Sequence, residues 1–205
     1  MSNEVKTKEK VDMDPKYIIK LTVTLFVTCV IVAGLLGLVN SVTCGPIAEI
    51  NKAKTEAAMK AVVADPENST FSEALEITGD MTAAASSAGA TVTEAYEAQA
   101  GGSTIGYALK IVASGSQGNI EMMVGVDAEG AVTGVSIVKN SETSGIGSKV
   151  MSNENGVLDQ FIGKSAADGM LSVGKNVDAI SGATVSSRGV TTGVNAALAV
   201  AGVMG

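Results

Sequence analysis

The sequence predicts an α+β protein, an antiparallel sheet with flanking helices, preceded by one transmembrane helix. Three observations carry this reading. Leu21 to Val42 holds no charged residue over 22 positions, enough helix to cross the roughly 30 Å hydrocarbon layer of a bilayer. Between Thr104 and Val138 apolar residues recur at every second position on either side of a turn, the period of strands. From Thr184 onward Val190, Val194, Ala197, Leu198 and Ala201 return at three- and four-residue steps, the period of one helix face.

Residues 1–20 form a polar segment in which Lys6, Lys8, Lys10, Lys16 and Lys20 alternate with Glu4, Glu9, Asp12 and Asp14. It reads as disordered or surface-bound. The span follows at 21–42. A cleavable signal peptide would have a shorter apolar region, about 7–15 residues, and a small-x-small cleavage site. Asn40-Ser41-Val42-Thr43-Cys44 offers neither, and Ser41 and Thr43 are poor neighbours for lipoprotein processing at Cys44. The five lysines before the span outnumber Lys52, Lys54 and Lys60 just after it, which places the N-terminus in the cytoplasm. Ala33 and Gly37 make a small-xxx-small pair that suits packing on partner membrane helices, and equally the ordinary composition of any membrane helix.

Residues 43–90 read as a helix and a connector. Pro46 is expected to end the span, and Ile47 to Ala64 has an amphipathic pattern built on Ile47, Ile50, Ala53, Ala57, Ala58, Ala61 and Val62. The weakly patterned stretch after Asp65-Pro66, including Ala83 to Ala90, reads as a mobile connector. A domain is expected over 91–205. Ile105, Tyr107, Leu109 and Ile111 form one strand face, and Ile120, Met122, Val124 and Val126 another, each on a half-buried strand. Asp127-Ala128-Glu129-Gly130 is a hairpin turn into a strand with Val135 and Ile137 on the core face. A meander of about four strands followed by helices results.

Composition removes several functions. The net charge of −7 argues against nucleic-acid binding, which needs a basic stripe. Histidine is absent, and with it histidine metal sites and every Ser-His or Cys-His catalytic arrangement. Cys29 and Cys44 have no second pair, so neither a zinc site nor a disulfide framework is indicated.

Two polar stretches remain. Asp178-Ala179-Ile180-Ser181-Gly182-Ala183-Thr184 leads into the last helix, whose first turn presents unpaired N–H groups and the positive end of the helix dipole to an anion. Ser181, Thr184, Ser186 and Ser187 could equally serve as plain caps. Upstream, Asn140-Ser141-Glu142-Thr143-Ser144-Gly145-Ile146-Gly147 is a glycine-rich loop after a strand, a place where ligands often bind.

The first stretch resembles the Asp-x-x-Ser-Gly-Ala-Thr attachment motif of proteins that carry FMN covalently through a threonine. It matches at Asp178, Ser181, Gly182, Ala183 and Thr184. The second resembles the Glu-Thr-Pro-Gly-x-Gly loop of the same family, at Glu142, Thr143, Gly145 and Gly147, with Ile146 in the variable place, Ser144 where proline is usual and Asn140 where many members have histidine. Val126-Asp127, Gly130 and Gly134-Val135 precede them in family order. With the single N-terminal span, the combination resembles the G subunits of Rnf-type ion-pumping ferredoxin:NAD oxidoreductases. The C subunits of sodium-pumping NADH:quinone reductases share this architecture but are usually longer.

The resemblance implies one FMN, joined by a flavin transferase through a phosphoester to Thr184, in an extracytoplasmic domain of a single-pass protein of the cell membrane. The transferase would recognise Asp178, Ser181, Gly182, Ala183 and Thr184. Glu142, Thr143, Gly145, Ile146, Gly147, Ser181, Gly182, Ala183, Ser186 and Arg188 are the implied cofactor contacts, with Glu142 alternatively a helix cap and Arg188 alternatively a solvated surface residue. The implied role is an electron-carrying subunit, partnered by other membrane subunits and the lipid bilayer, rather than a complete enzyme or a stand-alone membrane-anchored reductase. No metal or acid–base catalytic residue is implied.

Overall fold

The computed structural model describes residues 14–204, so most of the expected polar segment at 1–20 lies outside the described residues. The chain divides into two units, the first ending at Ile50 and the second beginning at Asn51.

The first unit is the leading part of α1 (Pro15–Val62). It is long and apolar enough to cross a membrane, and its side chains are open: Phe26, Leu35 and Leu36 are 68%, 60% and 65% exposed. Its threonine hydroxyls are satisfied within the helix, as an apolar surrounding favours. Thr22, Thr24, Thr28 and Thr43 each donate to the carbonyl one turn back. Contrary to expectation, the helix does not stop at Pro46 but runs through it to Val62. A proline removes one N–H and crowds one carbonyl, a cost of about 3 kcal/mol confined to a single turn, which a helix of 48 residues absorbs.

The second unit is built on a five-stranded sheet. Its strands β1 (Ser69–Phe71), β2 (Ala90–Ala100), β3 (Ser103–Ser114), β4 (Asn119–Asp127) and β5 (Val132–Asn140) lie in sequence order, every neighbouring pair antiparallel. The hairpin at 127–130 forms as expected, with Asp127 Oδ1 accepting from the N–H groups of Glu129 and Ala131. On one face lie α4 (Thr184–Met204) and α2 (Gly79–Ser87), over a core that includes Leu109, Ile111, Ile120, Met122, Val124, Val190, Val194 and Ala197. Every residue of the face expected on α4 is buried.

Two expectations need correction here. The central strands are buried on both faces, not one. The last turns of α1 place Ala58, Met59 and Val62 against Ala108 and Met123, and the alternating pattern hides this because Ala108 and Gly125 read as polar-side positions. Of the helix face expected after Pro46, only Ala58 and Val62 are buried, joined by Met59. The connector expected at 65–90 contains β1 and α2. Thr78 caps α2 by accepting from Met81 N–H, and Met81 and Ala85 are buried. Small alanines one turn apart bury a face without giving the strong periodicity of Leu or Ile.

Candidate functional site

The stretch before α4 is a tight turn. Ala183 N–H donates to the Ile180 carbonyl at 2.9 Å, and Gly182 sits at φ +81°, the left-handed value that a type II turn requires at its third position. The Ala183 carbonyl then accepts from Ser187 N–H at 2.9 Å, which makes Thr184 the first helical residue. Gln160 holds the entry, accepting from Asp178 N–H at 2.7 Å and donating to the Asp178 carbonyl at 3.1 Å.

Of the four hydroxyls that could have served as caps, two bond elsewhere. Ser186 Oγ donates to Glu142 and Ser187 Oγ to the Ala183 carbonyl. Among the described residues no side-chain oxygen accepts from the N–H of Thr184, Val185 or Ser186. The first turn therefore keeps its unpaired donors and its partial positive charge. Thr184 is exposed, and its hydroxyl makes no hydrogen bond among the described residues.

Glu142 binds three segments together. Its Oε1 accepts from Ser116 N–H at 2.7 Å and Gln117 N–H at 3.4 Å, in the turn between β3 and β4. Its Oε2 accepts from Ser186 Oγ at 2.6 Å, in the first turn of α4. Its own N–H donates to Asn140 Oδ1 at 3.1 Å, so Asn140 fixes the start of the loop. The packing is close. A Cβ on Gly115 would strike Glu142 Oε1, and one on Gly147 would lie 2.5 Å from Oε2.

The structure thus joins the two sequence stretches: Glu142 meets Ser186, Gly147 lies beside both, and Ile146 stands 3.6 Å from where a Cβ on Gly182 would be. Ile146 and Val185 are each 53% exposed, open apolar side chains on the loop and on the first turn of α4. Gly145 N–H donates to Ser148 Oγ at 2.9 Å, closing the loop into the short helix α3 (Gly147–Met151). Thr143, Arg188 and the Asp178 carboxylate make no side-chain hydrogen bond among the described residues. Sequence reasoning missed Ser116 and Gln160. The only sign of the first was a glycine-flanked polar turn, Gly115 to Gly118, between two strands.

An exposed, uncommitted hydroxyl with open N–H groups and small neighbours can be esterified by a phosphate, which those donors would stabilise. Residues 115–199 match the family model of the FMN-binding domain, from the Glu142-contacting turn into α4. Over 96% of this chain and 97% of the relative, the sequence is 36% identical to the G subunit of the Na(+)-translocating ferredoxin:NAD(+) oxidoreductase complex of Acetobacterium woodii. The chain belongs to this G-subunit family. A second member, the G subunit of the ion-translocating oxidoreductase complex of Methanosarcina acetivorans, is 31% identical over 90% of this chain and 95% of the relative. The crystal structure of the C subunit of the Na(+)-translocating NADH-quinone reductase from Parabacteroides distasonis superposes with a TM-score of 0.48 at 19% identity, covering 74% of this chain and 90% of that one. Within this G-subunit chain, the turn at 180–183, the loop at 142–147 and the start of α4 are the parts of the FMN-binding domain that meet in one place.

Proposed function

We propose that this chain is an electron-carrying subunit of a membrane-bound, ion-translocating ferredoxin:NAD oxidoreductase complex, holding one FMN as a phosphoester on Thr184. The observation that carries the reading is the uncommitted Thr184 hydroxyl at a helix start whose first N–H groups lack side-chain caps. Bound there, FMN supplies the capacity to take up and release electrons. The chain's residues supply position. Thr184 N–H, Val185 N–H and Ser186 N–H would hold the phosphate, Arg188 would offer a cation one helical turn further on, and Ile146 and Val185 would give the ring system an apolar surface. Glu142 acts through Ser186 and Ser116, fixing the turn on which Thr184 sits.

The span at 21–42 anchors the chain with its N-terminus in the cytoplasm and the flavin domain outside. There a covalent bond keeps the flavin at its site, where a dissociating one would be lost to bulk solvent. Asp178, Ser181, Gly182 and Ala183 present the threonine to the transferase. The deciding measurement is the intact mass of the protein made with and without a flavin transferase. A gain of one FMN less water, mapped to the peptide bearing Thr184 and absent in a folded Thr184→Ala variant, is expected. An unmodified Thr184 peptide in flavin-containing protein would overturn the reading.

A further inference from the structure

On the sheet face away from α4, the last turns of α1 leave part of the sheet uncovered. Between those turns and β1 lies a cleft of about 680 Å³, lined by none of the residues of the proposed flavin site. Its floor is a bonded trio. Lys110 Nζ meets Glu94 Oε1 at 2.8 Å, and Tyr96 OH donates to Glu94 Oε2 at 2.7 Å. Both carboxylate oxygens are occupied, whereas the ammonium group has donors to spare. Met59 and Phe71 supply apolar walls. Lys52 and Lys60 stand at the rim, one helical turn to either side of Glu56, and make no ion pair among the described residues.

The charge is out of keeping with its surroundings. From Asn51 on, the chain has nine basic and 16 acidic residues, yet three of those nine, against two of the 16, line this one cleft. A rim of lysines in an acidic body attracts a negatively charged partner. Beside it, β1 is the end strand of the sheet, with no strand on its outer side to take up its backbone N–H and C=O groups. A small anion would use the lysines and leave the strand edge idle. An extended polypeptide uses both, adding main-chain hydrogen bonds along the edge and seating side chains alternately.

We propose that this cleft docks an extended acidic segment of another protein of the complex, with an aromatic or aliphatic side chain on Met59, Phe71 and Tyr96 and carboxylates at Lys52 and Lys60. The inference rests on membership of a multi-subunit complex and not on the Thr184 linkage. The test uses the full chain within its assembled complex, with a photoreactive benzoylphenylalanine at the exposed Thr70, or at Thr82 of α2 as the control position. Irradiation should give an adduct at Thr70, not at Thr82, with a peptide from a neighbouring protein of the complex that holds acidic and apolar residues. A Lys52→Glu/Lys60→Glu pair should weaken the adduct by about tenfold or more, and Lys52→Gln/Lys60→Gln less, with covalent flavin content unchanged in both. No adduct, an adduct to lipid alone, or an adduct indifferent to charge reversal would overturn the proposal. Loss of flavin at Thr184→Ala with the adduct intact would separate the two readings.

Discussion

Replacing Gly147 by alanine tests whether Glu142 is the clamp that positions the start of α4. The added methyl would lie 2.5 Å from Glu142 Oε2, 2.9 Å from Glu142 Cβ and 3.1 Å from Ser186 Oγ. Rotating the carboxylate away does not suffice, because the base of the same side chain is also too close. The loop must shift, and the 2.6 Å bond from Ser186 opens. A hydrogen bond to a charged group contributes about 1.5–3 kcal/mol, and an extra methyl in a tight site costs about 1–3 kcal/mol. Alanine at the first position of α3 returns up to about 1 kcal/mol of helix propensity, so the net loss expected is about 1.5–5 kcal/mol. For a chain of this size, at about 2–4 °C per kcal/mol, that lowers Tm by about 3–20 °C, read by thermal unfolding in detergent, with incomplete covalent flavin loading read by mass. In a Glu142→Gly background both the carboxylate and the Cβ that crowd the methyl are gone, and its cost should fall below about 1 kcal/mol. A Tm within a degree of the parent with full loading, or equal costs in both backgrounds, would refute the reasoning.

Four further outcomes are expected. Thr184→Ala should give folded protein without covalent flavin, checked by fluorescence of the denatured band. Gly125→Ala would drive a methyl into the Val62 carbonyl and Thr133 Oγ1, loosening the last turn of α1 at about 1–3 kcal/mol, and hydrogen exchange of residues 58–62 should rise while that of α4 does not. Burial, then the bond to Glu94, pushes Tyr96 up to about 12. A group with a raised folded pKa stabilises fully below its unfolded value, near 10, and loses that contribution as pH climbs through the folded one; absorbance at 295 nm should therefore show a tyrosine titrating near 12 that vanishes in Tyr96→Phe. Burial pushes Glu94 up, but the hydrogen bonds from Lys110 and Tyr96 and the Lys110 charge outweigh it and hold the carboxyl below its usual range. Its contribution is present above the unfolded pKa and is lost as pH falls through the folded one, so Lys110→Met should flatten the acid limb of the stability profile.

How far the sequence could be read depended on range. The start of α4 at Thr184, the hairpin at 127–130 and the loop at 142–147 were legible because caps, turns and periodicity act within a few residues. What escaped was set by contacts remote in sequence. Glu142 lies 26 residues from Ser116 and 44 from Ser186, and nothing local marks their meeting. The helix α2 escaped because Met81 and Ala85 bury a face that only α4 completes. Ala108 and Gly125 passed for an outer face because their small size, which lets α1 approach, also makes them weak hydrophobic signals.

The clamp also answers an electrostatic problem that the proposed linkage raises. A phosphoester on Thr184 would carry negative charge, on a chain that already bears −7, with a carboxylate held to the same helical turn through Ser186. Were Glu142 unpartnered, it would oppose that charge at short range in a poorly solvated setting. Instead its oxygens accept from Ser116 N–H, Gln117 N–H and Ser186 Oγ, donors that spread and offset its charge. The N–H groups of Thr184, Val185 and Ser186 remain for the phosphate. If so, Glu142→Gln, which keeps the shape and removes the charge, should leave the fold and the attachment intact and raise the flavin potential, because reduction adds electrons beside the group. An unchanged potential would mean that the three donors already cancel the carboxylate, and that Glu142 serves the flavin by geometry alone.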